Sequence, residues 1–105
     1  MKFTPGPWRV EEGTFLVWAD SDAREFDIPI VRCKREYRHW GRRMPDEEHE
    51  ANVRLIAAAP DMYEALEEAR QLINGDLVGV EWKRACQDFM RHSRAALAKA
   101  RGEKA

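Results

Sequence analysis

The sequence predicts one α+β domain over residues 1–105, in which a small antiparallel β-sheet of three to four N-terminal strands is packed by two to three C-terminal helices. Two observations lead to this fold class. Apolar residues alternate with polar ones, or are β-branched and aromatic, up to about residue 45, and beyond it they recur at helical spacing. We therefore divide the domain into a β-rich part, 1–45, a helical part, 46–101, and a tail, 102–105, which we expect to fray.

The β-rich part contains three strand patterns that are separated by turn residues. Residues 8–12 alternate apolar and polar side chains after a Pro-Gly-Pro turn, and a glycine separates them from residues 14–18, so the two segments are expected to form a hairpin. Residues 28–33 give a third strand, in which Pro29 marks either a sheet edge or the start of the strand. The basic segment 35–45 is expected to be an exposed loop or a short fourth strand.

Three helices are predicted beyond residue 45. Asp46 can cap the first, Pro60 suits the first position of the second, and the third runs from about Gly79 to Arg101. The expected apolar faces are Ala51, Asn52, Leu55, Ile56 and Ala59 on the first helix, Met62, Leu66, Ala69 and Ile73 on the second, and Trp82, Cys86, Phe89, Ser93 and Leu97 on the third.

The composition excludes several classes of protein. With 18 basic and 19 acidic side chains in 105 residues, the formal net charge of −1 excludes a generic polybasic nucleic-acid binder. No segment has the roughly 18 apolar residues of a membrane span. The two cysteines, Cys33 and Cys86, lack the spacing of a zinc site or a disulfide framework. We therefore expect a soluble cytoplasmic protein that uses no metal, cofactor or membrane.

The sequence contains none of the common catalytic motifs. Its six glycines are too scattered for a phosphate-binding loop, and no Gly-x-Ser-x-Gly motif occurs. His49 lacks a second histidine four residues away, as a zinc-protease helix would require. Cys86 lies on an apolar stripe, so we expect it to be buried rather than nucleophilic. We therefore predict that the protein is not an enzyme.

Charge and apolar residues are unevenly distributed along the chain. The charge pattern is also explained by solvated helix faces that form weak salt bridges. Residues 1–45 carry a net charge of +2, residues 46–81 of −8 and residues 82–105 of +5. The acidic and basic segments can pair within the chain or with a neighbouring copy. Four apolar residues also lie off the predicted stripes, and a small fold is expected to leave some of them uncovered, which predicts a homo-oligomer. They are Tyr63, Leu72, Leu77 and Val78.

The most distinctive segment combines basic and aromatic side chains. Between residues 32 and 43 it has six basic residues and one acidic residue, interleaved with Tyr37, His39 and Trp40. Guanidinium groups bind phosphates bidentately and aromatic faces stack on bases, so this combination is typical of a nucleotide site. The alternative is that these charges protect an exposed sheet edge from association.

Two polar residues of the helical part are further candidates. Asn52 lies on the apolar face predicted for the first helix, where its amide is satisfied either by the sheet backbone or by a ligand. Arg70 lies in an otherwise acidic helix, where it reaches the site or pairs with an acid such as Glu67. The candidate ligand-binding residues are thus Arg38, Trp40, Arg42, Arg43, Asn52 and Arg70.

Three segments resemble a widespread group of small phage and prophage proteins. They are Thr4–Trp8 (TPGPW), Glu50–Asp61 (EANVRLIAAAPD) and Ala95–Ala100 (AALAKA). The order of strands followed by helices, with the asparagine and arginine inventory, is also similar to phage anti-defence sponges of the Thoeris anti-defence type. That resemblance implies sequestration of a cyclic nucleotide signal of a host immune system.

These observations predict a non-enzymatic phage anti-defence protein, a homo-oligomer that sequesters a cyclic ADP-ribose isomer or a cyclic oligonucleotide. The candidate arginines of the basic segment would hold phosphate or ribose oxygens, its tryptophan would stack on a base, and Asn52 and Arg70 would lie near the pocket edge. The alternative is a protein-directed inhibitor of a host defence complex, anti-CRISPR-like or another host-takeover factor, in which the acidic residues 46–73 mimic nucleic acid. Direct RNA or DNA binding through residues 32–43 is disfavoured by the acidic middle of the chain.

Overall fold

The computed structural model describes residues 3–11, 16–19, 28–32, 36–37, 42–43 and 45–103. Its elements are β1 (Trp8–Glu11), β2 (Leu16–Ala19), β3 (Ile28–Arg32), β4 (Glu36–Tyr37), β5 (Arg42–Arg43), α1 (Asp46–Ala57), α2 (Ala59–Asn74) and α3 (Gly79–Arg101). The predicted α+β fold class is therefore confirmed, with the strands preceding all three helices.

The strands form two separate antiparallel units. In the first, β2 lies between β1 and β3, and Val17 is opposite both Val10 and Val31. Pro29 lies near the start of β3, which is an edge strand of the described sheet. Proline is tolerated there because it has no backbone N–H to donate to a neighbouring strand. In the second unit, β4 and β5 pair only with each other, so the predicted fourth strand is a small hairpin rather than an extension of the main sheet.

A small core lies between the three-stranded sheet and α1. Val17 of β2 and Val53 and Ala57 of α1 are buried and pack together. Partly buried residues surround them, namely Trp8, Val10, Ile30, Val31 and Ile56. Most of these side chains are small or β-branched, so the sheet and the helix approach closely.

The buried face of α1 differs from the prediction. Its buried residues are His49, Val53 and Ala57, which recur every four residues, whereas Ala51 and Leu55 are exposed. Because the buried face begins with a histidine, a prediction based only on apolar residues places the centre of that face on the wrong side of the helix. The predicted cap is also displaced by one position, because Asp46 is the first helical residue and follows Pro45.

Helices α2 and α3 form an antiparallel hairpin that is held by an ion pair and by a histidine–carboxylate hydrogen bond. Lys99 Nζ donates to Asp61 Oδ2 at 2.7 Å, and His92 Nδ1 lies 2.9 Å from Glu68 Oε2. The two acids are seven residues apart on α2 and their partners are seven residues apart on α3 in the opposite direction, which fixes the register of the hairpin. Helix α3 also packs against α1, so it joins the hairpin to the core.

The apolar stripes predicted for α2 and α3 are only partly covered. Leu66 is 72% exposed and Ile73 80%, while Trp82 and Leu97 are 41% and 46% exposed. The other predicted members, including Cys86, are half-buried rather than buried. The Cα radius of gyration is 17.0 Å, against about 13 Å for a compact domain of this length, because the hairpin projects from the core.

The Pro-Gly-Pro turn near the start of the chain packs against the beginning of α2. A Cβ atom at Gly6 would lie 2.6 Å from Cβ of the buried Pro60, so only glycine fits at that point. Trp8 Nε1 donates to the Thr4 carbonyl at 3.2 Å, which closes the turn. Two of the segments that resemble phage proteins, TPGPW and EANVRLIAAAPD, therefore contact each other and have a structural role.

The end of α3 is capped at a glycine. Gly102 has a φ of +77°, its N–H donates to the Lys99 carbonyl at 3.1 Å, and the Glu103 N–H donates to the Ala98 carbonyl at 2.8 Å. These two bonds form a Schellman motif, which satisfies carbonyls that the helix end would otherwise leave open. Gly102 and Glu103, where the sequence predicts fraying, thus belong to the helix cap.

Candidate functional site

The β4–β5 hairpin holds the backbone of two candidate arginines. Tyr37 is opposite Arg42 and Glu36 is opposite Arg43 in the antiparallel register. Because neighbouring positions of a strand lie on opposite faces and directly opposed positions share a face, positions 37 and 42 lie on one face and positions 36 and 43 on the other.

Two further candidates, Arg38 and Trp40, lie outside the described residues. In the sequence they fall between β4 and β5, so four of the six candidate residues lie within residues 38–43.

Asn52 does not lie on the buried face that the prediction assumed. It is exposed on α1, next to the buried Val53, so its amide is not enclosed in an apolar environment. Burial therefore does not force the Asn52 amide to bind the sheet backbone or a ligand.

Arg70 lies on the outer part of α2 and is 68% exposed. Its guanidinium lies 3.4 Å from the carboxylate of Glu67, one helical turn earlier. This is the intrahelical ion pair that the sequence offers as the alternative to ligand binding. Among the contacts described between elements, none of substantial size joins α1 or α2 to the β4–β5 hairpin. The described contacts thus do not bring Asn52 or Arg70 beside Arg42 and Arg43.

A charged groove between α2 and α3 was not predicted from the sequence. It has a volume of about 530 Å³ and contains both the Asp61–Lys99 ion pair and the Glu68–His92 hydrogen bond. Its polar and charged lining residues are Asp61, Glu64, Glu68, His92, Lys99 and Glu103. The matching seven-residue spacing of the acids on α2 and of their partners on α3 is the sequence signal that could have indicated it, because residues three, four and seven apart share one side of a helix.

A second arginine–tryptophan pair lies on the main sheet. The Arg9 guanidinium is 5.9 Å from the centre of the Trp18 ring, and the Trp18 indole donates to Glu11 Oε2 at 2.8 Å. This cation–π contact joins β1 to β2, and the ring already has a cationic partner within the fold. We therefore assign the pair to sheet stability rather than to a ligand site.

Neither a metal-binding cluster nor a membrane-spanning helix occurs in the described part of the chain. Its His, Cys, Asp and Glu side chains form no group of three or more that could hold a metal ion. Within the same residues, no helix combines the length and apolar character needed to cross a membrane.

The fold and the candidate site define a small α+β protein with a basic hairpin and a projecting helical arm. The family of Salmonella phage P22 protein Y8K6 matches residues 1–104, and the chain belongs to this family. No curated protein and no solved structure matches the chain significantly. The resemblance of the sequence to small phage proteins is therefore confirmed, at the level of the family.

Proposed function

We propose that this phage protein is a non-enzymatic binding protein that sequesters a host immune signalling nucleotide, a cyclic ADP-ribose isomer or a cyclic oligonucleotide. The observation that supports this proposal is the register of the β4–β5 hairpin, which places position 42 opposite Tyr37. In the sequence, Arg38 and Trp40 lie between these two strands, so two arginines and two aromatic residues fall within residues 37–42.

This combination suits a cyclic nucleotide because the two residue types bind its two parts. Guanidinium groups form paired, charge-assisted hydrogen bonds with phosphate oxygens, and an indole ring stacks on a base. The hairpin register also separates the two neighbouring arginines. Arg42 shares a face with Tyr37, whereas Arg43 lies opposite Glu36 on the other face, so Arg42 is expected to contribute more to binding than Arg43.

Titration calorimetry with cyclic ADP-ribose isomers and cyclic dinucleotides tests the proposal. One of these ligands is expected to bind, and Arg42→Ala is expected to weaken binding by roughly 10- to 100-fold, as loss of a charge-assisted bond implies. Arg91→Ala is the matched control, since it removes the same charge from a side chain that is 72% exposed on α3, outside the candidate site, and it is expected to change affinity by less than about threefold. Absence of heat with every ligand at high micromolar concentration would contradict the proposal.

A protein-directed inhibitor is the second candidate, and the acidic surface of α1 favours it. Asp46, Glu47, Glu48 and Glu50 are all exposed in the first turns of that helix. A row of carboxylates on a rigid helix can imitate the phosphates of a nucleic acid and occupy a basic site of a host protein. Affinity capture from host lysate distinguishes the candidates. One stoichiometric host protein, lost with Glu47→Lys/Glu48→Lys, would favour the inhibitor, and no captured protein would favour nucleotide sequestration.

A further inference from the structure

One side of the α2–α3 hairpin exposes a group of large apolar side chains. Leu66 and Ile73 of α2 are 72% and 80% exposed, and Trp82, Met90 and Leu97 of α3 are 41–53% exposed. Single exposed apolar residues are ordinary, but a continuous group on one surface marks an interaction site. We call these five residues the apolar face.

Helical geometry places four of the five residues on the side of the hairpin away from the charged groove. The Asp61–Lys99 ion pair and the Glu68–His92 hydrogen bond mark the side with the groove. At about 100° per residue, the apolar side chains of α2 lie roughly 120–160° around the helix from the two acids. Met90 and Leu97 lie roughly 140–180° around α3 from His92 and Lys99, whereas Trp82 lies roughly 80–100° around it, at the border of the apolar face. Apart from Trp82, the apolar face is therefore opposite to the charged groove on both helices.

We infer that the apolar face binds a second copy of this chain, with α2 of one protomer packed on α3 of the other in a four-helix arrangement. Helix α2 has four acidic residues and one basic residue, whereas α3 has six basic residues and two acidic ones. A two-fold axis parallel to the hairpin places each acidic helix on a basic helix and repeats this favourable contact by symmetry. A two-fold axis across the hairpin would instead stack helices of like charge, which is unfavourable.

The size of the face sets the expected strength of the dimer. The 16 residues of α2 extend about 24 Å, and two helices side by side are about 20 Å wide, which gives roughly 500 Å² in projection. Standard interfaces bury about 800 Å² per partner. Because side chains make the surface uneven, the accessible area that this face buries is larger than its projected area and comes closer to that figure. We therefore expect dissociation in the micromolar range rather than an obligate dimer.

Sedimentation equilibrium on the full chain, with and without two paired substitutions, tests this inference. The unmodified protein is expected to show a mass that rises with concentration towards twice 12.3 kDa. Leu66→Glu/Ile73→Glu is expected to remain a monomer up to about 100 µM. The matched control is Val78→Glu/Val80→Glu, which adds the same charge at two exposed valines outside the apolar face, and it is expected to dimerise like the unmodified protein.

Each outcome supports or overturns the inference. A monomer at about 100 µM in the unmodified protein overturns it, whether or not the variants fold. Equal dimerisation of a folded Leu66→Glu/Ile73→Glu variant, shown by helical circular dichroism, also overturns it. Added salt distinguishes the two symmetric arrangements, since screening weakens a dimer with acidic helices on basic ones and strengthens one with like helices stacked. Tighter association at 0.5 M salt than at low salt would contradict the assigned pairing. The result does not depend on whether the protein binds a nucleotide.

Discussion

Replacing Gly6 by alanine tests whether the TPGPW turn is a packing element. The added Cβ would lie 2.6 Å from Pro60 Cβ and 3.2 Å from Pro60 Cγ, whereas carbon atoms in contact prefer 3.5–4.0 Å. Pro60 is buried and its ring is rigid, so the turn and the start of α2 must separate by about 1 Å. Overpacking of this kind costs about 1–3 kcal/mol of unfolding free energy.

Thermal and urea unfolding, followed by circular dichroism, measures this cost. A loss of about 2 kcal/mol is expected to lower Tm by roughly 8–16 °C in a domain of this size. In a Pro60→Gly background the Gly6→Ala penalty is expected to fall below about 0.5 kcal/mol, because both clashing carbons are absent. A Gly6→Ala protein that melts within about 2 °C of the unmodified protein would refute the argument from close packing.

Three further substitutions test other parts of the fold by the same unfolding measurements. Val53→Ala removes two methyl groups from a core residue that is 1% exposed and is expected to cost about 1–3 kcal/mol, so a change below about 0.5 kcal/mol would contradict the assigned core. Gly102→Ala is expected to cost about 1 kcal/mol, because alanine is strained at a φ of +77°, and an unchanged stability would contradict the αL cap. Lys99→Ala breaks the pair with Asp61, which is about one-third exposed, and is expected to cost less than about 1 kcal/mol, so a loss above about 2 kcal/mol would show a larger role for the groove.

The boundaries of the helices were predictable because local chemistry sets them. Pro60 lies in the first turn of α2, where a missing N–H costs nothing, and α3 extends from Gly79 to Arg101 as predicted. Gly102 then supplies the left-handed residue that ends α3. These signals act within a few residues of the chain, so a sequence contains them without knowledge of the packing.

The buried faces of the helices were less predictable because distant parts of the chain decide them. On α1 the burial of His49 shifts the inner face away from Leu55, although leucine is the more apolar residue. On α2 and α3 the periodicity is real, but Leu66 and Ile73 are exposed because no described layer packs over them. A periodic apolar stripe predicts that a surface is covered, and it does not tell whether the same chain or another one covers it.

The candidate ligand site was predictable in part. The sequence places Arg38, Trp40, Arg42 and Arg43 close together because they are near in the chain, and the β4–β5 register adds which positions share a face. Asn52 and Arg70 were predicted because each is a polar residue at an unexpected position on its helix. The structure gives a local explanation for each, since Asn52 is exposed on α1 and Arg70 pairs with Glu67. Whether a helix lies close to the β4–β5 hairpin depends on the tertiary structure, and the spacing of residues along the sequence does not specify it.

The molar mass of the unmodified protein as a function of concentration tests most directly whether the helical arm is completed by another protomer. Light scattering from about 5 to 100 µM is expected to show a rise from 12.3 kDa towards double that mass, with a midpoint in the micromolar range. A mass that stays at 12.3 kDa over the whole range would contradict the account of the apolar face.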